Sequence, residues 1–163
     1  MKLFIYISTL IVLISCHSQD KSKNPIKGLW KLHAMEIRDS TDASWSQWRD
    51  GMQGYLLYDG DGHMALHLTT LDYEKTPLSF PNFNDSISLE ALKHLTKNYN
   101  YHALYALNEK DQTVTHSRIS HSNPREWNAV VVRSYRFHGD TLIISPQEER
   151  IANLRLKWLK FDH

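Results

Sequence analysis

The fold is decided by the stretch Gly54-Tyr55-Leu56-Leu57-Tyr58-Asp59-Gly60-Asp61-Gly62-His63-Met64-Ala65-Leu66-His67-Leu68. Two apolar-rich runs flank Asp59-Gly60-Asp61-Gly62, whose glycines can adopt the positive φ angles of a tight hairpin turn. After the turn, Met64, Leu66 and Leu68 alternate with histidine or alanine, and this period of two indicates a strand with one buried face. The stretch therefore predicts an antiparallel hairpin. Because a lone hairpin is only marginally stable in water, it must belong to a larger sheet.

Similar strand patterns recur along the 163 residues, a length that suits one domain with a single core. Further strands are predicted over residues 28–38, 101–107, 112–121, 129–137, 141–145 and 154–161. With the hairpin, these make about eight strands joined mostly by short turns. Closing such a sheet on itself removes its exposed edges and leaves room inside for side chains or one small ligand. We predict an all-β, up-and-down antiparallel barrel, with a β-sandwich as the alternative.

One short helix is predicted over residues 86–98. Asp85, Ser86 or Ser88 can cap its start. Its apolar residues recur every three positions and form one stripe, consisting of Leu89, Leu92 and Leu95. Such a helix lies on the domain or plugs one end of it. His94 is expected at the surface.

Two further segments carry aromatic side chains outside the regular structure. Trp45 and Trp48 stand in a polar loop, where they either cap one end of the core or line the mouth of a cavity. Residues 72–85 contain Phe80 and Phe83 together with Pro77 and Pro81, which predicts a loop folded over an apolar opening.

The first residues are typical of a secretion signal. Met1-Lys2 is a short positive start, and the apolar run that follows is about a dozen residues, short of the ~20 that a membrane-spanning helix needs. Leu13-Ile14-Ser15-Cys16 resembles the lipobox of bacterial lipoproteins, in which the cysteine is acylated. An ordinary signal peptide or an uncleaved anchor is the alternative.

The lipobox interpretation divides the chain into a signal peptide (1–15), a polar lipid-anchored tether (16–25) and the barrel domain (26–163). Removing the signal leaves 18 basic residues against 18 acidic ones and no basic block, so nucleic-acid binding is not expected. Acyl chains, such as palmitate, on Cys16 would attach the protein to a bilayer of the bacterial cell envelope. We expect the outer membrane or a periplasmic face, and a monomer.

Several motifs together resemble the lipocalin-like domain family, a group of calycin-type barrels. They are the opening Gly28-Leu29-Trp30-Lys31-Leu32, the central hairpin, the strand 101–107 with Thr113-Val114-Thr115-His116, the segment 133–142 and the closing Leu156-Lys157-Trp158. The resemblance covers residues 26–161. It implies a lipocalin-like barrel with a cup or small lumen, and no particular chemistry, since one fold hosts many functions.

His116 is the main candidate for a residue that binds a polar ligand group or acts as an acid or base. On a strand it shares a face with Val114 and Arg118, directed either into the barrel or outward. An inward imidazole near Arg133 and Tyr105 could bind a carboxylate or act as an acid or base. The alternative is a core histidine whose hydrogen bonds are satisfied by a tyrosine or a backbone carbonyl.

The sequence gives only weak signals for a metal site or a catalytic nucleophile. His63 and His67 share a strand face but lie about 13 Å apart, too far to chelate one ion. His116 and His121 are an odd number of residues apart and are expected on opposite faces. The Asp59–Gly62 turn lacks the later carboxylate of a calcium loop. No nucleophile elbow is present, so we expect no metal, no cofactor and no catalytic residue.

The sequence thus predicts a membrane-anchored protein that holds a small hydrophobic or amphipathic molecule in its lumen. The predicted ligand-binding residues are His116, Arg133, Tyr105, Tyr101, Trp30, Met64 and Leu66, and the predicted lipidation site is Cys16. Two alternatives remain open: a small isomerase or hydrolase that uses His116 as acid or base, and a structural envelope lipoprotein with a filled barrel.

Overall fold

The computed structural model describes residues 24–78 and 86–162. The strands are β1 (Gly28–Ile37), β2 (Ser46–Gln47), β3 (Met52–Tyr58), β4 (His63–Thr70), β5 (Asn98–Asn108), β6 (Thr113–His121), β7 (Val130–His138), β8 (Thr141–Pro146) and β9 (Leu154–Lys160). One α-helix, α1 (Leu89–Leu95), and two 3-10 turns, Pro124–Glu126 and Glu149–Ile151, complete the described elements.

The strands form one antiparallel sheet that closes into a barrel. Each long strand pairs with the next long one along the chain, and β1 also pairs with β9. The closed barrel therefore has eight strands, with β2 as a two-residue addition beside the end of β1. The pairing of β1 with β9 shifts at a bulge between Leu32 and Ala34, which bends the strand. The predicted eight-stranded barrel is confirmed, and the β-sandwich is excluded.

The central hairpin forms as predicted, with β3 paired to β4 from Met52 to Tyr58. In its turn, the Asp59 carboxylate accepts hydrogen bonds from the backbone N–H groups of Asp61 (2.7 Å) and His63 (3.0 Å). Gly54 has a φ of 148°, and a Cβ atom there would lie 2.0 Å from the carbonyl oxygen of His67. Only glycine fits this close approach of two strands.

The two ends of the barrel differ. At the closed end, short turns join β3 to β4, β5 to β6 and β7 to β8. Ile26 is fully buried there, and its carbonyl accepts a hydrogen bond of 2.8 Å from Trp30 Nε1. Asn24 Nδ2 donates to the Tyr105 hydroxyl at 2.6 Å. At the other end, which we call the open end, longer connections carry α1 and both 3-10 turns.

Helix α1 is shorter than predicted, because Ser88 is its N-cap and Asn98 already begins β5. The Ser88 hydroxyl accepts a hydrogen bond from the Ala91 N–H at 3.1 Å. The buried residues of α1 are Ala91 and His94, whereas Leu89 is 66% exposed and Leu92 is 49% exposed. The predicted stripe therefore does not form the buried face.

The prediction that His94 lies at the surface is wrong. His94 is 8% exposed, its Nε2 donates to the Tyr73 carbonyl at 2.9 Å, and its ring stacks on that of Tyr73. The helix packs against the segment that follows β4, and this contact turns the His94 side inward.

Some predictions lie outside the described residues. Cys16, the signal peptide, most of the tether and the phenylalanines Phe80 and Phe83 belong to this group. Within residues 24–78 and 86–162, no helix has the length and apolar character needed to span a membrane.

A candidate ligand cavity at the open end

A cavity of about 930 Å³ occupies the open half of the barrel. Its apolar wall is made by inward side chains of the strands, including Met35, Met52, Leu56, Leu66, Leu68, Ile144 and Leu156. Helix α1 adds Leu92 and Leu95 at the rim. The volume lies in the range of pockets that hold small molecules, roughly 300 to 1,000 Å³. The barrel is therefore not filled by its own side chains.

The predicted ligand-binding residues divide into two groups. Leu66, Tyr101, His116 and Arg133 line the cavity. Trp30, Met64 and Tyr105 are buried in the hydrophobic core and are not among the described lining residues. That any residue of either group contacts a ligand stays a prediction.

The floor of the cavity is built around His116, which is 2% exposed. Its Nε2 lies 2.8 Å from the Tyr58 hydroxyl, and its Nδ1 lies 2.9 Å from the Tyr101 hydroxyl. A neutral imidazole has one donor and one acceptor, so one tyrosine accepts from the ring and the other donates to it. Both ring nitrogens are thereby satisfied.

The protonation states follow from burial. Burial, followed by the positive charges of Arg133 and Arg118, lowers the pKa of His116 to about 3. Burial raises the pKa of both Tyr58 and Tyr101. At neutral pH the trio is therefore uncharged. This arrangement is that of a core histidine satisfied by tyrosines, and a base with so low a pKa is poorly matched to proton transfer near pH 7.

Two arginines stand beside this trio in the cavity wall. Arg118, on β6, has a side chain only 2% exposed, pairs with Glu126 and donates to the Tyr99 hydroxyl at 2.9 Å. Arg133, on β7, has a side chain 10% exposed and pairs with Glu148. Burial tends to raise the pKa of the Glu148 carboxyl, but the hydrogen bond and charge of Arg133 outweigh it and hold that pKa below its usual value.

The expectation that His116 and His121 face opposite sides is wrong. The pairing of β5 with β6 shifts by one residue at Ile119, which bulges outward and is 53% exposed. After this bulge the alternation restarts, so His121 is buried on the inner side and its ring stacks on Tyr101. A bulge of this kind has no reliable signal in the sequence.

The tryptophans of the polar loop have separate roles. Trp48 lines the cavity near its mouth, with the Arg49 guanidinium 4.0 Å from its ring centre. Trp45 is not among the described lining residues, and its ring centre lies 4.8 Å from the Arg38 guanidinium and 4.0 Å from that of Arg155. The cavity alternative therefore describes Trp48, and that Trp45 caps the core stays a prediction.

Sequence reasoning missed several site residues. The alternation along the strand places Arg118 on the same face as His116, and this alternation is the sequence signal that could have identified Arg118 as a cavity residue. Tyr58 belongs to the inner face of the central hairpin by the same alternation. Glu126 and Glu148 lie in connections between strands, where no periodicity predicts the direction of a side chain. Within the described ranges, no group of three or more His, Cys, Asp or Glu residues could hold a metal ion.

Comparison with known proteins agrees with this architecture. The sequence profile of a family described as a lipocalin-like domain matches residues 27–158, a range that runs from just before β1 into β9. The comparison with curated proteins gave no match. Because the matched range is most of the chain and contains the closed barrel with its cavity, the chain belongs to the lipocalin-like domain family.

Proposed function

We propose that this protein binds a small hydrophobic or amphipathic molecule in the cavity at the open end of the barrel. The observation that carries the proposal is the cavity of about 930 Å³, walled mainly by apolar side chains and floored by a few polar ones. Each 100 Å² of apolar ligand surface removed from water contributes about 2.5 kcal/mol before the costs of association. The polar floor orients the molecule.

We further propose that acyl chains on Cys16 anchor the protein to a membrane of the bacterial envelope. Asn24, the first described residue, is bonded to Tyr105 at the closed end. The chain from Cys16 to Lys23 can span at most about 28 Å when extended. With the anchor attached there, the closed end stays within about 28 Å of the membrane surface.

The binding proposal is tested by titration with N-phenyl-1-naphthylamine, an uncharged probe that fluoresces in apolar surroundings. Met52 lines the cavity and Leu57 faces outward from the same strand. The variant Met52→Trp fills cavity space and should weaken probe binding by about tenfold or more, whereas Leu57→Trp should leave it unchanged. Circular dichroism spectra like that of the wild type should show that both variants are folded.

Equal probe binding by the two variants would refute a ligand site in the cavity. Native mass spectrometry of the purified protein is the second measurement. A small molecule that co-purifies with the wild type and not with Met52→Trp would identify the ligand class directly.

A further inference from the structure

One side of the barrel carries apolar side chains on its outer surface. We call this side the wall patch, and it lies on the outer face of β9, β1 and β3, toward the closed end. Its residues alternate along their strands with buried core residues such as Trp30, Leu56 and Trp158. The wall patch consists of Leu29 and Lys31 on β1, Tyr55 and Leu57 on β3, and Leu159 on β9.

The strand register makes the wall patch continuous. Leu29 pairs with Leu57 across β1 and β3. Lys31 lies between its two partners, Tyr55 on β3 and Leu159 on β9. Tyr55 is 40% exposed, and Leu57 and Leu159 are each 41% exposed. The patch is therefore one apolar surface in contact with water, with a lysine in its middle.

The opposite wall of the barrel is polar at the same height. β6 lies four strands from β1 in either direction around the closed sheet. Its outward positions near the closed end include Thr115 and Ser117, which alternate with the buried Val114 and His116. The solvated face of an antiparallel sheet is usually polar, so a continuous apolar patch there indicates an interaction surface.

The chain that leads to Cys16 leaves the barrel beside the wall patch. Asn24, the first described residue, lines a shallow cleft together with Gly28 and Lys160. These last two are the chain neighbours of two patch residues. Residues 16–23 span at most about 28 Å when extended. A bilayer that holds acyl chains on Cys16 is therefore within reach of the patch.

The basic side chains near the patch suit a bilayer that contains anionic lipids. Lys27, Lys31 and Lys160 form no ion pair with another described residue. A lysine can lay its apolar stem along a hydrophobic surface while its ammonium group reaches lipid phosphates. Apolar and aromatic side chains mixed with lysines are typical of protein surfaces that lie in the interface of a membrane.

The turns of the closed end have the opposite charge. They lie between β3 and β4, β5 and β6, and β7 and β8, and they carry Asp59, Asp111 and Asp140 against one lysine, Lys110. An anionic membrane surface repels these carboxylates and attracts the lysines near the patch. The side of the barrel is therefore favoured over its closed end as the surface that contacts the membrane.

We infer that the wall patch rests on the bilayer to which Cys16 is anchored. This inference rests on the proposed anchor and is independent of the ligand in the cavity. The leucines and Tyr55 lie at the level of the lipid head groups, and Lys31 contacts phosphates. The barrel then lies on its side, so its cavity opens along the membrane surface.

The test uses the acylated protein in vesicles of phosphatidylethanolamine and phosphatidylglycerol that contain a nitroxide lipid as a fluorescence quencher. Cys16 is the only cysteine of the chain and acylation consumes its thiol, so a single introduced cysteine can be labelled with a fluorophore. A label at Leu159→Cys should be quenched several-fold more strongly than one at Thr115→Cys on the opposite wall.

A charge reversal tests the role of the lysine in the patch. Lys31→Glu, introduced together with Leu159→Cys, should reduce the quenching of the label several-fold, because the membrane surface is anionic. Lys93→Glu is the matched control and should leave the quenching unchanged, since Lys93 is exposed on α1 at the open end.

Equal quenching of the two labels, or no effect of Lys31→Glu, would overturn the inference. Unquenched labels together with disulfide-linked pairs of Leu159→Cys chains would overturn it as well, because a second copy of the chain would then cover the patch. Mass spectrometry of the intact protein reports the acyl groups separately. Without acyl groups the proposed anchor itself fails, whereas acylated protein with equally quenched labels keeps the anchor and refutes only the contact of the wall patch.

Discussion

The burial of His116 predicts that the protein loses stability as the pH falls from neutral toward 3. Burial, with the charges of Arg133 and Arg118, lowers the pKa of His116 to about 3 in the folded protein. In the unfolded chain an imidazole has a pKa of about 6.5. Between these values the unfolded chain binds a proton that the folded protein does not. Stability is therefore fully present above about pH 6.5 and is lost as the pH falls toward 3.

The size of the effect follows from the width of this interval. Each pH unit within it costs about 1.4 kcal/mol for one proton. Going from pH 7 to pH 5 crosses about one and a half units of the interval, so His116 alone should lower the free energy of unfolding by about 2 kcal/mol. This is a large fraction of the stability of a typical small domain, about 5 to 15 kcal/mol.

The assay is urea unfolding, followed by tryptophan fluorescence, of the wild type and His116→Gln at both pH values. Glutamine has a donor and an acceptor for Tyr58 and Tyr101 but does not titrate. Between pH 7 and pH 5 the wild type should lose about 2 kcal/mol more than the variant. His121, whose pKa is lowered by burial and by Arg118, is present in both proteins, so its contribution cancels.

An equal loss of stability in the two proteins would refute this reasoning. It would mean that the folded protein protonates His116 near the ordinary imidazole pKa. His116 would then again be a candidate acid or base, and its hydrogen bonds to Tyr58 and Tyr101 would not be those of a permanently neutral ring.

Two further predictions concern the fold. Gly54→Ala should lower the free energy of unfolding by at least ~3 kcal/mol, because its Cβ would collide with the His67 carbonyl. The control is Gly139→Ala, which should cost only about 1 kcal/mol, because Gly139 has a φ of 55° and open space around the new Cβ. Equal losses for the two variants in urea unfolding would contradict the clash at Gly54. Trp30→Phe should lower the free energy of unfolding by about 1 to 3 kcal/mol, because the Ile26 carbonyl loses its indole donor. An unchanged midpoint of thermal unfolding would show that this hydrogen bond adds no stability.

Local rules predicted the strands and their order well. The period of two along Gly54–Leu68 and the Asp-Gly turn chemistry placed the central hairpin correctly, since each depends on residues close in sequence. The same alternation put His116 on one face with Val114 and Arg118, and all three are buried. The barrel itself followed from the need to remove strand edges, and the β1–β9 pairing satisfies that need.

By itself, then, the sequence determined which segments are strands, how successive strands pair and which side chains share a face between irregularities. Only the tertiary structure decided where the alternation breaks, as at Ile119, and which side of α1 is buried, as His94 shows. It also decided the pairing of Arg133 with Glu148 across 15 residues. The physical reason is range: alternation and turns depend on neighbouring residues, whereas bulges, helix rotation and buried ion pairs depend on atoms that only closure of the barrel brings together.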